Sequence, residues 1–297
     1  MTGFSADWLA LREPFDRAAR QASAATFDLA GLARRSRGGG GATLGVLDLA
    51  CGTGANLREL APRLGGAQRW LMVDHDPRLL AVWPGEMAAW ARSQGFGCHS
   101  AADRLHIEGP GWDADARLQR LDLSQELGAL PWGEFALVTA SALLDLVSAA
   151  WLDDLLARAC AAKAALLFAL TVDGHAEWTP EIAGDDEVAR CFEAHQRRDK
   201  GFGAALGADA VAVAAGRLAA LGCDVHRSRS DWRIDGGDGQ DALAMLRAMI
   251  SGSADAALEQ APAAGAAIGE WRARRMAAIA QTRLRVGHVD LLAVPRT

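Results

Sequence analysis

Val46-Leu47-Asp48-Leu49-Ala50-Cys51-Gly52-Thr53-Gly54-Ala55-Asn56-Leu57 is the stretch that decides the fold of this 297-residue chain. A short apolar run carries one acid, and a glycine-punctuated turn then opens a helix. That pattern places a carboxylate and a bare backbone loop at the carboxyl end of a buried strand, where open α/β sheets bind ligands. Gly52 and Gly54 let the backbone turn sharply and approach a ligand without an intervening Cβ. The free N–H groups of the following helix face the same crevice. Two sharper motifs are excluded. A G-x-G-x-x-G dinucleotide fingerprint starting at Gly52 needs a third glycine where Leu57 stands, and the Gly-Lys-Ser/Thr ending of a P-loop is absent.

Working outward, the hydrophobic pattern alternates strands and helices. Residues 5–36 read as two helices, with Pro14 near the start of the second. Gly38 to Gly41 form a flexible linker into a first strand at 44–50. A helix follows at 54–64, a second strand at 70–74, and a helix at 78–92 that Pro84 and Gly85 should kink or break. Residues 105–108 read as a short extra strand before Gly109-Pro110-Gly111. The third, fourth and fifth strands fall at 118–123, 135–139 and 165–171, with helices at 142–149 and 151–162. Helices at 185–199 and 208–221 precede a sixth strand at 223–234. Two more helices, 239–259 and 263–284, precede a seventh at 285–294. Such alternation implies a mainly parallel sheet covered on both faces.

Composition bounds the function. The net charge of −6 argues against a broad nucleic-acid footprint. The five cysteines are widely spaced and form no C-x-x-C pair, so no metal site or disulfide framework is expected. Free thiols fit a reducing cytoplasm, and Cys51 reads as a small packing residue. No basic-then-apolar leader and no apolar run of about 20 residues stands in the sequence, so a cytoplasmic protein without a membrane span is expected.

Three acids fall towards the carboxyl ends of successive strands: Asp48, Asp74 and Asp122. A carboxylate at the second strand end can accept two hydrogen bonds from a ribose diol. Asp74 lies on the strand end itself, 20 residues past Gly54, and takes that role. Asp76, just before Pro77, reads as a helix cap.

In that order, VLDLACGTGANL, LMVDHDPRLL, LQRLDLS and FALVTASALLDLV resemble the motifs of the class I S-adenosylmethionine-dependent methyltransferases over about residues 42–172. The resemblance implies a Rossmann-like seven-stranded, mostly parallel sheet with an antiparallel last strand beside strand five. It implies helices on both faces and helical caps. It treats 1–297 as one domain: an N-terminal helical cap at 1–41, a cofactor-binding core at 42–174, and cap insertions at 175–207 and 236–284.

It further implies S-adenosylmethionine as cofactor, with S-adenosylhomocysteine as product. Asp48 would hold the methionine part, with Gly52 and Gly54 lining that end; Ala50, Cys51 and Asn56 of the same motif are counted with them. Asp74 would bind the ribose, His75 would flank the adenine, and Asp122 and the Leu123 amide would meet its edge. Ala140 and Ser141 would lie beside the methionine end.

Methyl transfer from a sulfonium needs alignment, and a base only where the acceptor must lose a proton. Candidate bases are His175, and His195 with Asp199; each histidine reads equally as a solvated residue. Arg197, Arg198 and Lys200, before Phe202, are candidates for holding an anionic acceptor, or else complement a helix dipole. Trp8, Trp178, Phe202 and Trp232 are candidates for an aromatic acceptor pocket, with core packing the alternative for Trp8 and Trp232. The expected activity is methylation of a small molecule at oxygen or nitrogen, by a monomer or homodimer. The alternatives are an RNA or protein methyltransferase, or a fold that binds the cofactor without transferring methyl.

Overall fold

A computed structural model of the chain describes residues 4–37, 42–101 and 103–296. The glycine linker expected at 38–41 lies outside them. The first strand is β1 (Leu44–Leu49), fully buried along its length, as a central parallel strand must be. Gly54, at φ 86°, opens helix α3 (Ala55–Leu64), numbered after two N-terminal helices, α1 (Ala6–Ser23) and α2 (Leu29–Ser36). Strand β2 (Gly66–Asp74) and helix α4 (Pro77–Gln94) follow, and the Asp76 side chain caps α4 as expected. α4 runs through Pro84 without a break. Trp83 and Met87 on either side are fully buried and hold the helix against the sheet, which outweighs one missing N–H. α1 likewise runs through Pro14, so the boundary between the first two helices falls later than the proline suggested.

Residues 97–120 fold as β3 (Gly97–Ala101), β4 (Arg104–Gly109) and β5 (Trp112–Arg120). A short α5 (Leu123–Glu126) then leads to β6 (Leu137–Ser141). The helix expected at 142–149 is only a turn at Leu144–Leu146. α6 (Ala149–Ala161), β7 (Ala165–Thr179), α7 (Asp185–Gln196) and α8 (Ala210–Ala220) follow. The expected sixth strand is two, β8 (Cys223–Arg229) and β9 (Trp232–Asp235). Helices α9 (Gln240–Gln260) and α10 (Gly265–Ala277) lead to the last strand, β10 (Arg283–Pro295).

The sheet order is β3-β4-β5-β2-β1-β6-β7-β10-β8, with β9 paired to β10. β5, β2, β1, β6 and β7 run parallel to one another, β4 is antiparallel to β5, and β10 is antiparallel to both β7 and β8. The expected seven-stranded arrangement is therefore the middle of a ten-stranded sheet. The β3–β4 hairpin widens one edge. At the other, the far half of β7, the near half of β10 and β9 rise past the carboxyl edge of the parallel strands. On one face α6 and α8 bury Leu152, Leu155, Leu156, Ala214 and Leu218 against Leu47, Val138 and Phe168. On the other, α2, α3 and α4 bury Leu32, Leu57, Leu60 and Trp83 against Val46, Trp70 and Met72. A third core joins the rising strands to α7, α9 and α10 around Trp178, Trp271, Trp232 and Met245.

The expected cap boundaries shift accordingly. α2 belongs to the core layer, and only α1 joins the cap. Residues 175–179 and 283–284 are strand, not helical insertion.

Candidate functional site

The glycine loop sits at the carboxyl edge of β1, as its sequence requires. Gly52 and Gly54 have φ of 54° and 86°. Three residues with side chains share that left-handed conformation at neighbouring strand ends: Ala50 after β1 (φ 53°), Ala142 after β6 (φ 53°) and Leu170 in β7 (φ 54°). Each costs about 1–2 kcal/mol, and such strain gathers where a site is being shaped. Leu170 lies at a bulge opposite Asp290 of β10, whose carboxylate accepts its N–H at 2.8 Å.

Asp48 is fully buried. Its Oδ1 accepts from Asn56 Nδ2 at 2.7 Å, and Asn56 Nδ2 also donates to Thr139 Oγ1 at 3.0 Å. Its Oδ2 has no partner among the described residues. Burial pushes the Asp48 carboxyl up to about 7, against the Asn56 hydrogen bond and the charge of Arg20. Asp74 accepts the Gly52 N–H on Oδ2 and the Asp76 N–H on Oδ1, both at 2.9 Å. It therefore braces the glycine loop against the start of α4, and each oxygen keeps one lone pair for a ligand. Cys51 is buried, with its thiol raised by burial, and acts as packing.

The residues expected on the adenine side follow the ends of β2 and β5. His75 is exposed beside Asp74. Asp122 caps α5, its Oδ1 accepting the Ser124 N–H at 2.9 Å and Ser124 Oγ at 2.7 Å. These bonds and nearby His75 lower its pKa against partial burial. Leu123 is buried, and its carbonyl accepts from Trp151 Nε1 at 2.7 Å. At the inner end, Ala140 is buried and Ser141 half-buried at the tip of β6.

What roofs this crevice was not legible as a site. The inward stripe of α1 is Arg12, Asp16, Ala19, Arg20 and Ser23, spaced at three and four residues yet mostly polar. Arg12 Nε donates to Asp16 Oδ2 at 2.9 Å, and its guanidinium lies 5.0 Å from the centre of the Trp232 ring. Trp232 Nε1 donates to Asp16 Oδ1 at 2.9 Å. Ser23 Oγ donates to Asp290 Oδ2 at 3.0 Å and pins the end of α1 to β10. Arg20 is buried, its pKa lowered by that burial, and its Nε has no partner among the described residues. Leu9 lies over Gly52, where an added Cβ would meet its Cδ1 at 3.1 Å. Between α1 and α3, a cavity of about 20 Å³ reaches Ser141 and Leu170. It has room for about one water molecule and not for a nucleoside. A separate cavity of about 390 Å³, flanked by Arg69, Arg104 and Arg117, lies on the β2–β5 flank and contains none of these groups.

The remaining expected site residues are not gathered here. His175 is exposed on the rising part of β7, paired with Asp173 at 3.2 Å. His195 Nε2 meets Glu259 Oε2 at 3.1 Å, which ties α7 to α9. Asp199 accepts the Gly201 and Gly203 N–H groups at 2.7 and 3.0 Å and shapes a turn. Arg197 pairs with Asp209 and Glu193, and Arg198 with Glu259. Lys200 Nζ donates to the His195 carbonyl at 3.1 Å. Both arginines of the basic cluster are thus paired with acids, and Lys200 with a backbone carbonyl. The four aromatic candidates are likewise dispersed. Phe202 packs edge-on to Trp151 at 5.1 Å, Trp178 packs on Trp271, and only Trp8 and Trp232 neighbour α1's polar stripe.

Counted by core strand, the order β5-β2-β1-β6-β7-β10-β8 is 3-2-1-4-5-7-6, with the seventh strand reversed between the fifth and sixth. This is the mostly parallel, Rossmann-like arrangement with a reversed last strand that the motif resemblance implied. No protein-family model matches the sequence, and no curated protein does. Solved structures with similar chains include a cyclopropane-fatty-acyl-phospholipid synthase-like protein from Lactobacillus casei: 15% identity, 98% of this chain and 94% of that one covered, TM-score 0.46. Another is a methyltransferase from Geobacter sulfurreducens in complex with S-adenosylhomocysteine: 14% identity, 95% and 98% covered, TM-score 0.41. A third is a geranyl diphosphate C-methyltransferase from Streptomyces coelicolor: 12% identity, 94% and 80% covered, TM-score 0.43.

Proposed function

We propose that this chain is an S-adenosylmethionine-dependent methyltransferase acting at oxygen or nitrogen of a small molecule. The observation that carries the reading is a complementary pair of orphaned groups. Among the described residues Asp48 Oδ2 lacks a donor and Arg20 Nε lacks an acceptor, within one electrostatically coupled crevice beside the glycine loop. A carboxylate short of a donor and a guanidinium short of an acceptor match the ammonium and carboxylate of an α-amino acid. Asp74, one strand over, adds the diol acceptor that a nucleoside requires. Asp48, Arg20 and Asp74 would thus hold the two ends of S-adenosylmethionine, which when bound supplies a methyl group activated by a sulfonium. The rest of the task falls to the chain: alignment by the strained strand ends, and water exclusion by α1. A crevice roofed by a helix suits a small acceptor better than an RNA or protein chain.

The test is calorimetric titration of S-adenosylmethionine and S-adenosylhomocysteine into wild type and Asp74→Ala. Binding by the wild type is expected, with a loss of about 10- to 100-fold in the variant, the scale of charge-assisted hydrogen bonds. Absence of binding by the wild type sinks the reading. Affinity unchanged in Asp74→Ala removes the ribose role alone.

A further inference from the structure

We propose that Asp145 is the general base on the acceptor side, taking the proton from a hydroxyl or amine nucleophile while Arg12 stands by as a fixed cation. The inference rests on the methyl-donor reading above. Asp145 lies four residues past Ser141, just beyond the left-handed turn at Ala142. Its neighbours Leu144 and Val147 enter the apolar core beneath α6 and α8. Asp145 is 8% exposed, and its Oδ1 has no partner among the described residues.

That is exceptional in this molecule. Of the five buried aspartates, Asp74, Asp76 and Asp290 accept hydrogen bonds on both oxygens. Only Asp48 and Asp145 keep a buried oxygen unpartnered among the described residues. A carboxylate kept under such conditions at a strand end calls for a ligand, because an apolar residue there would avoid the penalty.

The surrounding charges define its task. Arg217 of α8 is turned to Asp153, Asp209 to Arg197, and Asp173 on β7 to His175 and Arg229. The charge of Arg12 reaches Asp145 and favours its ionised form, while the Arg12 guanidinium itself bonds Asp16 and sits over Trp232. Burial lifts the Asp145 carboxyl to about 6, with Arg12 pulling it back, so near neutrality it is ionised and still basic enough to accept a proton. His288 beside Trp232 is the rival. Its Nδ1 meets the Val286 carbonyl at 3.1 Å and must be the donor, and burial lowers the ring to about 4, too weak a base for the task.

In the step, the nucleophile's proton passes to Asp145. The electron pair left behind forms the bond to the methyl carbon, whose former bonding pair stays on the donor sulfur. The proton leaves Asp145 for solvent as product departs.

The test compares two ligands that differ by one charge. S-adenosylmethionine carries a sulfonium where S-adenosylhomocysteine has a neutral thioether, and they share the amino-acid and nucleoside ends. A carboxylate aimed at the transferring methyl feels that difference. Calorimetric Kd values for both are measured between about pH 5 and 8. In the wild type, the preference for S-adenosylmethionine should rise about tenfold as Asp145 ionises. In Asp145→Asn it should be flat, and Asp145→Glu should restore the slope. Contributions from Asp48 to the shared amino group cancel in the ratio. A flat wild type, or a slope that survives Asp145→Asn, overturns the proposal; if that variant does not fold, Asp145→Ser gives the same decision. Failure of both ligands to bind instead removes the methyl-donor reading.

Discussion

Two places in the molecule bury an arginine beneath a helix, and they differ in how it is satisfied. In the cap, Arg275 of α10 is wholly buried. Its Nε donates to Asp185 Oδ1 at 3.1 Å, Nη1 to the Pro180 carbonyl at 2.8 Å, and Nη2 to Asp185 Oδ2. Its guanidinium stacks 5.0 Å from the Trp178 ring centre, and Trp271 Nε1 completes the cluster on Asp185 at 2.7 Å. In the crevice, Arg20 is buried to nearly the same degree, yet its Nε and the opposing Asp48 Oδ2 go unpartnered among the described residues. A closed network fixes a fold; an open one stores unmet hydrogen bonds for a ligand. Burial alone separates nothing here, and partner accounting separates the two.

The contrast breaks most readily at its structural end. Arg275→Met should cost about 3–5 kcal/mol, because it strands Asp185 in the cap. Thermal unfolding should show the loss, while S-adenosylhomocysteine affinity, measured under conditions where the variant is folded, stays within twofold. A large change in that affinity would make the cap cluster part of the site.

At the crevice the sign reverses. The Asp145 carboxyl is raised from its usual 3.8 to about 6, so the native state holds this proton more tightly than the unfolded chain. Its contribution to stability is full below about pH 4 and is lost as the pH rises through 6. Asp145→Asn should therefore be more stable than wild type at pH 8, by up to ~3 kcal/mol, with the difference gone near pH 4. Melting curves across that range decide it, and a variant destabilised at pH 8 would assign Asp145 to the fold rather than to a site.

Smaller effects sharpen the boundary. Gly54→Ala places a Cβ 2.7 Å from Trp83 Nε1 and 2.8 Å from Met87 Sδ at φ 86°. About 2 kcal/mol of stability should go, as read by denaturant midpoint. Arg198→Ala removes an exposed pair with Glu259 and should shift stability by less than about 0.5 kcal/mol. A tenfold loss of acceptor affinity in that variant would restore the basic cluster as a binding element.

The central strands β1, β2 and β7 were legible because each holds an apolar run ending in an acid or a glycine turn, and β6 because it is a short apolar run between helices. The β3–β4 hairpin was only half legible, because β3 is largely exposed and offers no buried face to pattern. α1 was read as part of an N-terminal helical cap, but its buried polar residues were not read as part of the site. Helical periodicity is sought in apolar residues, and its inward stripe is Arg12, Asp16, Arg20 and Ser23. Asp145 left a trace, a lone acid inside Ala142-Leu143-Leu144-Asp145-Leu146-Val147, but its neighbours read as helix where the chain makes only a turn.

The sequence by itself determined the strand–loop–helix at Val46–Leu57, its strand-end acids and the order of its core elements, because these depend on residues adjacent in the chain. Only the tertiary structure decided which charges find partners. Ser23 meets Asp290 across 267 positions, while Arg12 of α1 pairs with Asp16 and lies over Trp232, far along the chain. Hydrogen bonds reach about 3 Å, so whether a buried polar atom is satisfied is settled by packing distant segments, and local sequence carries no record of it.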